Sequence, residues 1–498
     1  VSAVTGSTTG PSVADVVRQA AESTGRRARQ VAFSLSKASP AEKFVAPLLG
    51  VYLGWAVSRM PEIFPALAIP RLPMTLMLLF MLLLAVAIPP AGWKMAWHNS
   101  LPFRLVCILG SIAVITMPLG IWMMGSFNFL KDRYSIAFVV FLSCFVFLRD
   151  RKMLRRAVMI FVLLTTAIST KLVMTWDPDQ LVETSSGEMV PMSELRADYQ
   201  RMTISASLDP NDYGAVIATA VPLALWLSFG SFWRRIFWGS ATLILIASVV
   251  PTASRGAMVG LAAVALTLVA FGAKGWKRIF LIAVIGGGAA IFSAIATQGQ
   301  MDRFLDFGTD DYNLTNEGRW YFWRQGIVWM IKRPWGYGIS NYSTYFDWLN
   351  GHARAAHSSW VQYGMELGVA GLTTFILVNL VMWRGHKRNR AIAMSLPATH
   401  QKLAESESVL SGHMMAMMAG TLVTGSFLSN AYYPLMYMML GIAAASLLGS
   451  PFGPQATEAS IISKRFARKD HLPGNAPLAP AVPGNGPQRG VTRLSRRR

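Results

Sequence analysis

Cysteine is nearly absent: the chain has two, Cys107 and Cys144, in 498 residues. Both fall inside apolar runs, so neither a disulfide framework nor a thiolate metal site is expected. No metal and no cofactor is expected at all. Charge is scarce too. Asp, Glu, Lys and Arg make up 14% of the chain against 53% apolar residues, which excludes an ordinary soluble protein of this length. The apolar residues come in continuous blocks rather than alternating with polar ones, which argues against a β-barrel. Residues 1–43 lack an apolar stretch followed by a small-residue cleavage site. No removable signal peptide is therefore expected, and the first apolar run is expected to act as the insertion signal.

What is present is a series of blocks about as long as a bilayer is thick. They fall near 44–59, 73–91, 103–124, 135–148, 156–173, 210–230, 236–251, 255–272, 279–297, 359–383, 411–428 and 433–449. The expected fold class is all-α: a polytopic transmembrane helix bundle of about 12 spans, with a large helical periplasmic loop between spans 9 and 10. The short fourth block and the proline-rich connection after the first (Pro61, Pro65, Pro70, Pro73) also suit tilted or re-entrant pieces. With the N-terminus in the cytoplasm, most Lys and Arg fall on the cytoplasmic side and the other side is slightly acidic, as the resistance of basic residues to translocation requires. The net charge of +21 is then topological and calls for no nucleic acid. Three regions follow. Residues 1–43 are a basic cytoplasmic segment with a possible amphipathic helix, ADVVRQAAESTGRRARQVAFSL. Residues 44–449 are the transmembrane domain. Residues 450–498, rich in Pro, Gly and Ala and ending TRLSRRR, read as a disordered cytoplasmic tail suited to anionic head groups. No internal repeat is visible.

Two loops on the outer side are long, 174–208 and 298–358. The first is acidic, and its Asp177 and Asp179 read as structural. The second carries Arg303, Arg319, Arg324, Lys332, Arg333 and Arg354 on the side where bases are disfavoured. Pairing with the loop's own acids is one cause; a function is the other. Within it, NEGRWYFWRQGIVWMIKRPWGYG reads as an aromatic-rich helix at the membrane interface, ended by Pro334, Gly336 and Gly338. Three span starts face the same side. DPND places Asp209 at an N-cap and Asp212 in the first turn, which a helix start favours anyway; either acid also suits holding a base or a sugar hydroxyl. SRG puts Arg255 at a helix start, where an acid would be favoured instead. That breach of the local rule points to an anion such as phosphate, with pairing to Glu366 or Asp212 as the structural alternative. GHARAAHSSW holds two of only seven histidines, His352 and His357. A helix N-terminus lowers a histidine's pKa and keeps it neutral, as a general base requires. Glu366, deeper in the tenth span, is an intramembrane acid and so a functional candidate, or the partner of an arginine.

These residues resemble a known family. AAHSSWVQYGMELGVAGL is similar to the histidine-containing signature of the O-antigen ligase and O-antigen polymerase superfamily. GRWYFWRQGIVWMIKRPWGYGISNY resembles its preceding segment, SRGAMVGL its Ser-Arg-Gly helix start, and DPNDYGAVIATAVPLAL a stretch of its exopolysaccharide-polymerase-like members. The resemblance covers about 200–380. It implies a C-type membrane glycosyltransferase of the bacterial inner membrane, with its active site facing the periplasm. The donor would be an oligosaccharide on undecaprenyl diphosphate. The acceptor would be another repeat unit's glycan in a polymerase, lipid A core in a ligase, or protein hydroxyls in other relatives. It further implies that Arg255 and Arg319, with Arg324 as a further candidate, bind the diphosphate and that His357 is catalytic. His352 has no counterpart and is a secondary candidate. The long tail and extended N-terminus depart from the pattern and leave acceptor and partners open, other polysaccharide-export components among them. Two readings of other classes stand beside it: a 12-span transporter or flippase of lipid-linked glycan, and an export scaffold.

Overall fold

The computed structural model describes residues 40–57, 72–87, 90–175, 177, 181–183, 189–191, 209–272, 275–296, 301, 318–396 and 398–452. The chain divides into units 1–453 and 454–498, and the second lies outside the described residues. So do the expected N-terminal amphipathic helix, the connection 58–71, Asp179, Arg303 and most of the acidic loop.

The described chain is helical apart from a two-stranded antiparallel ribbon in the acidic loop, β1 (Leu181–Glu183) with β2 (Met189–Pro191). Its first part runs through α1 (Pro40–Val57), α2 (Leu72–Ala87), α3 (Pro90–Asn99), α4 (Leu101–Thr116), α5 (Met123–Phe129), α6 (Ser135–Phe147) and α7 (Arg151–Thr175). After the ribbon come α8 (Pro210–Ser228), α9 (Phe232–Ala247), α10 (Val249–Thr252), α11 (Arg255–Phe271) and α12 (Trp276–Ile295). The last part holds α13 (Arg319–Lys332), α14 (Tyr342–Asn350), α15 (Ser359–Ser395), α16 (Gln401–Gly425) and α17 (Pro434–Leu448).

Among the described residues, five helices are long and apolar enough to cross a membrane: Leu101–Leu119, Arg151–Thr175, Phe232–Thr252, Lys277–Ile295 and Ser359–Ser395. Four shorter apolar helices lie at Phe44–Val57, Met74–Ala87, Arg255–Phe271 and Pro434–Leu448. The protein is therefore a helical membrane protein. The other expected blocks fall on α6, α8 and α16. Cys107 on α4 and Cys144 on α6 are both free thiols.

Several boundaries differ from expectation; the eleventh helix, for one, starts at Gln401 rather than 411. The third helix stops at Thr116, where Pro118 and Gly120 end it. The fourth starts at Met123, with a π-helical turn over Leu130–Tyr134 carrying Lys131, Asp132 and Arg133. The tenth runs twelve residues past its expected end at 383, because His386, Asn389 and Ala393 keep a buried face there. His386 Nε2 lies 3.2 Å from the Ala443 carbonyl on α17.

The centre of the bundle is α8, α11 and α16. Small residues let them approach closely, as membrane helices do. A side chain at Gly260 would strike Thr424, and one at Gly420 would strike Val264 and the Ala218 backbone. Thr219 and Thr421 hydrogen-bond across this seam at 2.8 Å. The contacts also fix two ends. Gly214 at the start of α8 packs on Ser254 and Ala257, and Gly256 packs on Phe427 just past the end of α16. Ser359 at the start of α15 donates to the Leu428 carbonyl at 2.9 Å. At the opposite end Arg151 forms a two-pronged pair with the buried carboxylate of Glu407, at 2.9 and 2.6 Å, and Lys277 pairs with Glu405.

Candidate functional site

Four helix starts meet at the first of these ends. Asp209 caps α8, accepting from the Asn211 N–H at 2.8 Å. Ser254 caps α11, accepting from the Ala257 N–H at 3.3 Å. Gly318 precedes α13. Ser358 caps α15 by accepting from the Val361 N–H. Helix starts present free N–H groups and the positive ends of their dipoles, so the shared end suits an anion. Arg255 and Arg319 occupy the first positions of α11 and α13, both half-buried.

Three non-glycine residues have positive φ among the described residues: Ala253 (φ 45), Ser340 (φ 63) and His357 (φ 48). Each sits just before a cap residue, Ser254, Asn341 or Ser358, that opens α11, α14 or α15. A left-handed residue with a Cβ is disfavoured by about 1–2 kcal/mol and persists where surrounding groups hold it. At His357 those groups are visible. Its N–H donates to Ser429 Oγ at 2.8 Å, and its carbonyl accepts from Trp323 Nε1 at 3.3 Å. The imidazole nitrogens make no hydrogen bond to a described residue, so the ring is clamped through its backbone and left open at its reactive atoms.

The electrostatics around that ring are mixed in sign. Burial and the Arg319 cation hold the His357 imidazole below the ordinary histidine range, Asp209 pulls the other way, and Arg354 adds to the lowering. The ring is therefore neutral at neutral pH and able to accept a proton. The structure thus brings Arg319, Asp209 and His357 together. Arg255 joins through contacts: Gly256 packs on Phe427, whose ring lies 6.1 Å from Trp323, which holds His357. Asp212 is half-buried in the first turn of α8. Arg324 is exposed, five residues along α13 from Arg319 and so turned well away from it. His352 is exposed, its Nδ1 lying 3.0 Å from the Asn350 carbonyl and its ring packed on Phe346.

Glu366 is fully buried, about 10 Å along α15 from Ser359 by helical rise, and it faces backbone rather than a cation. Its two oxygens accept from the Ser340 N–H at 2.9 Å and the Tyr342 N–H at 3.0 Å. Next to it α15 breaks: Gly368 has φ 71 and ψ −172 inside the helix. The break frees polar backbone groups at membrane depth, where they must find partners within the protein. The PWGYG segment supplies them. Tyr337 N–H donates to the Met365 carbonyl at 3.0 Å, Gly338 N–H to the Glu366 carbonyl at 2.9 Å, and Val369 N–H to the Pro334 carbonyl at 2.8 Å. Asn341 pins the wedge from the other side, donating to Ser126 Oγ at 2.6 Å and accepting from the Trp122 N–H at 3.1 Å. Above it, Phe322, Trp329, Tyr337, Tyr342, Phe346 and Ala356 form a small aromatic core.

The bases of this loop divide accordingly. Arg333 lies over the Tyr337 ring at 5.1 Å. Arg319 and Arg354 face His357. The sequence marks Arg354 as a loop base and not as a site residue. Its Nε is buried without a hydrogen-bond partner, and it makes no ion pair with a described residue. Its separation of three residues from His357 was the available signal.

Residues 240–376 match a family model described as O-Antigen ligase. That stretch is similar to the O-antigen ligase family. The matched segment holds Arg255, Arg319, Arg354 and His357 and ends inside α15, while Asp209 and the turn after α16 lie beyond it. No curated protein matches the chain.

Proposed function

We propose that the protein is a periplasmic-face polymerase of oligosaccharide repeat units carried on undecaprenyl diphosphate, acting from a bundle of about 12 spans in the bacterial inner membrane with both termini in the cytoplasm. The observation that carries the reading is the meeting of a clamped, neutral His357 with the Arg319 and Arg354 cations inside the family-matched segment. The polyprenyl tail lies in the bilayer and the diphosphate sits at the shared helix starts. His357 takes the proton of the acceptor hydroxyl as its oxygen attacks the anomeric carbon. The bond from that carbon to the diphosphate breaks, the electron pair leaves with the phosphate oxygen, and Arg255 and Arg319 stabilise the growing charge. Asp209, Asp212 and Arg324 line or border the path of the glycan, and Arg354 adds a third cation. Transfer to lipid A core is the second reading. The description of the matched family favours the ligase, and the DPND segment favours the polymerase.

The test is the purified protein in liposomes with isolated lipid-linked repeat units. Lengthening of the lipid-linked glycan supports the polymerase. Transfer only when lipid A core is added supports the ligase. Movement of the donor across the bilayer with no new glycosidic bond sinks both and leaves a transporter. Arg255→Ala and Arg319→Ala are each expected to slow transfer by roughly 10²–10³, the usual effect of losing one charge-stabilising contact.

The pH profile gives a further prediction with two signs. The histidine must be neutral, so activity falls as pH drops through its pKa. Arg354→Gln removes a cation, lets that pKa rise, and moves the acid limb to higher pH. Asp209→Asn removes an anion and moves the limb to lower pH. Limbs that stay put in both variants would show that another group controls the rate.

A further inference from the structure

The groups that hold His357 in place extend beyond the family-matched residues. Residues 426–433, SFLSNAYY, connect α16 to α17, and four of their bonds go to the start of α15. Ser426 Oγ accepts from Trp360 Nε1 at 2.9 Å. The Leu428 carbonyl accepts from Ser359 Oγ at 2.9 Å, and the Asn430 N–H donates to the same hydroxyl at 3.1 Å. The Ala431 carbonyl accepts from the Tyr363 hydroxyl. These bonds close the turn onto the helix without touching the histidine.

Ser429 differs. Its hydroxyl oxygen accepts from the His357 N–H at 2.8 Å. That N–H lies outside α15, ahead of the cap residue Ser358, so no helical carbonyl is available to it. The φ of 48 at His357 is a conformation that a residue with a Cβ leaves readily unless it is held. Trp323 fixes the following carbonyl, and Ser429 fixes the preceding N–H. The direction of the Cα–Cβ bond, and with it the aim of the imidazole, follows from those two contacts.

We propose that Ser429 is a positioning residue for glycosyl transfer: its hydroxyl holds the left-handed backbone of His357 and aims the imidazole at the acceptor hydroxyl. The proposal rests on the reading of His357 as the general base. A misplacement of about 1 Å in a reacting group lowers turnover by up to about 10²-fold. Ser429→Ala is therefore expected to lower kcat by roughly 10- to 100-fold, with KM for the lipid-linked donor changed by less than about twofold.

The test is turnover against pH for the purified protein in liposomes, with lipid-linked repeat units as the probe. Wild type, Ser429→Ala, Ser429→Thr, Ser426→Ala and His357→Ala are compared at equal amounts of folded protein. Ser429→Ala is expected to lower kcat and to move the acid limb to higher pH, because an unclamped imidazole turns toward water. Ser429→Thr keeps a hydroxyl and is expected to restore both. Ser426→Ala removes a bond of the same turn and is expected to leave the limb in place. The proposal is overturned if Ser429→Ala matches wild type, or if Ser426→Ala and Ser429→Ala lower activity alike with an unmoved limb. If Ser429→Ala fails to fold, Ser429→Thr decides, and loss of kcat there despite the hydroxyl counts against the proposal. If His357→Ala itself turns over like wild type, the reading of His357 falls and takes this inference with it.

Discussion

Replacing His357 is expected to remove nearly all glycosyl transfer while leaving the protein in the membrane. A positioned base contributes about 10²–10⁴ in rate. The fold should tolerate the change. The ring is only half-buried, its nearest aromatic neighbour is Phe322 at a centroid distance of 6.0 Å, and its nitrogens hold no other described group in place. Alanine is a poor choice on one count, since it is no better suited than histidine to a φ of 48. His357→Asn is the sharper variant, because asparagine accepts left-handed conformations, forms hydrogen bonds, and cannot take up a proton at neutral pH. In a deletion strain carrying His357→Asn, a polymerase leaves single lipid-linked repeat units where wild type makes long polymer. A ligase leaves polymer on its carrier with none on lipid A core. Wild-type product from His357→Asn would remove histidine catalysis and return transport or scaffolding to consideration.

The starts of the helices were legible in the sequence because capping is local chemistry. Asp209 before Pro210, Ser254 before Arg255, and Ser358 before Ser359 each place an oxygen acceptor where free N–H groups point, and each is the observed cap. That put Arg255 and His357 at helix ends before any packing was known. The same logic could not show that the four starts meet, which depends on close approach at Gly214 and Gly256. It also could not assign Glu366. Hydropathy measures composition and not continuity, so ELGVAGL reads as unbroken helix. Two partners of the acid are backbone groups 24 and 26 residues earlier in the chain, and a backbone N–H has no side-chain signature to announce it. The early start of α5 was hidden for a related reason. Lys131, Asp132 and Arg133 lower the apolar average, although the helix carries them through a π turn. Ser429 lay outside every motif, because a serine in a short turn acquires a role only through the residue it faces.

Two glycines with the same φ make the second large prediction. Gly351 and Gly368 both have φ 71, but Gly351 has open space around it and Gly368 does not. Gly351→Ala should therefore lose only the backbone preference, about 1 kcal/mol, with activity kept. At Gly368 the ψ of −172 puts the residue in a region nearly closed to other amino acids, worth about 1–3 kcal/mol by itself. A Cβ there would also strike the Pro334 carbonyl and the Trp335 and Gly336 backbone, none of which can rotate away. The PWGYG wedge would have to leave the break in α15. The Met365 and Glu366 carbonyls and the Val369 N–H would then lose their partners, at about 1–3 kcal/mol for each buried group. Together these terms rival the whole stability of a typical domain, about 5–15 kcal/mol. Gly368→Ala is expected to yield little folded protein, measured as the monodisperse fraction and melting temperature in detergent, while Gly351→Ala melts within a few degrees of wild type. Equal melting of the two variants would show that the wedge is dispensable. Otherwise the break at Gly368 is what seats the wedge, and the wedge follows directly on α13, from which Arg319 and Trp323 reach His357.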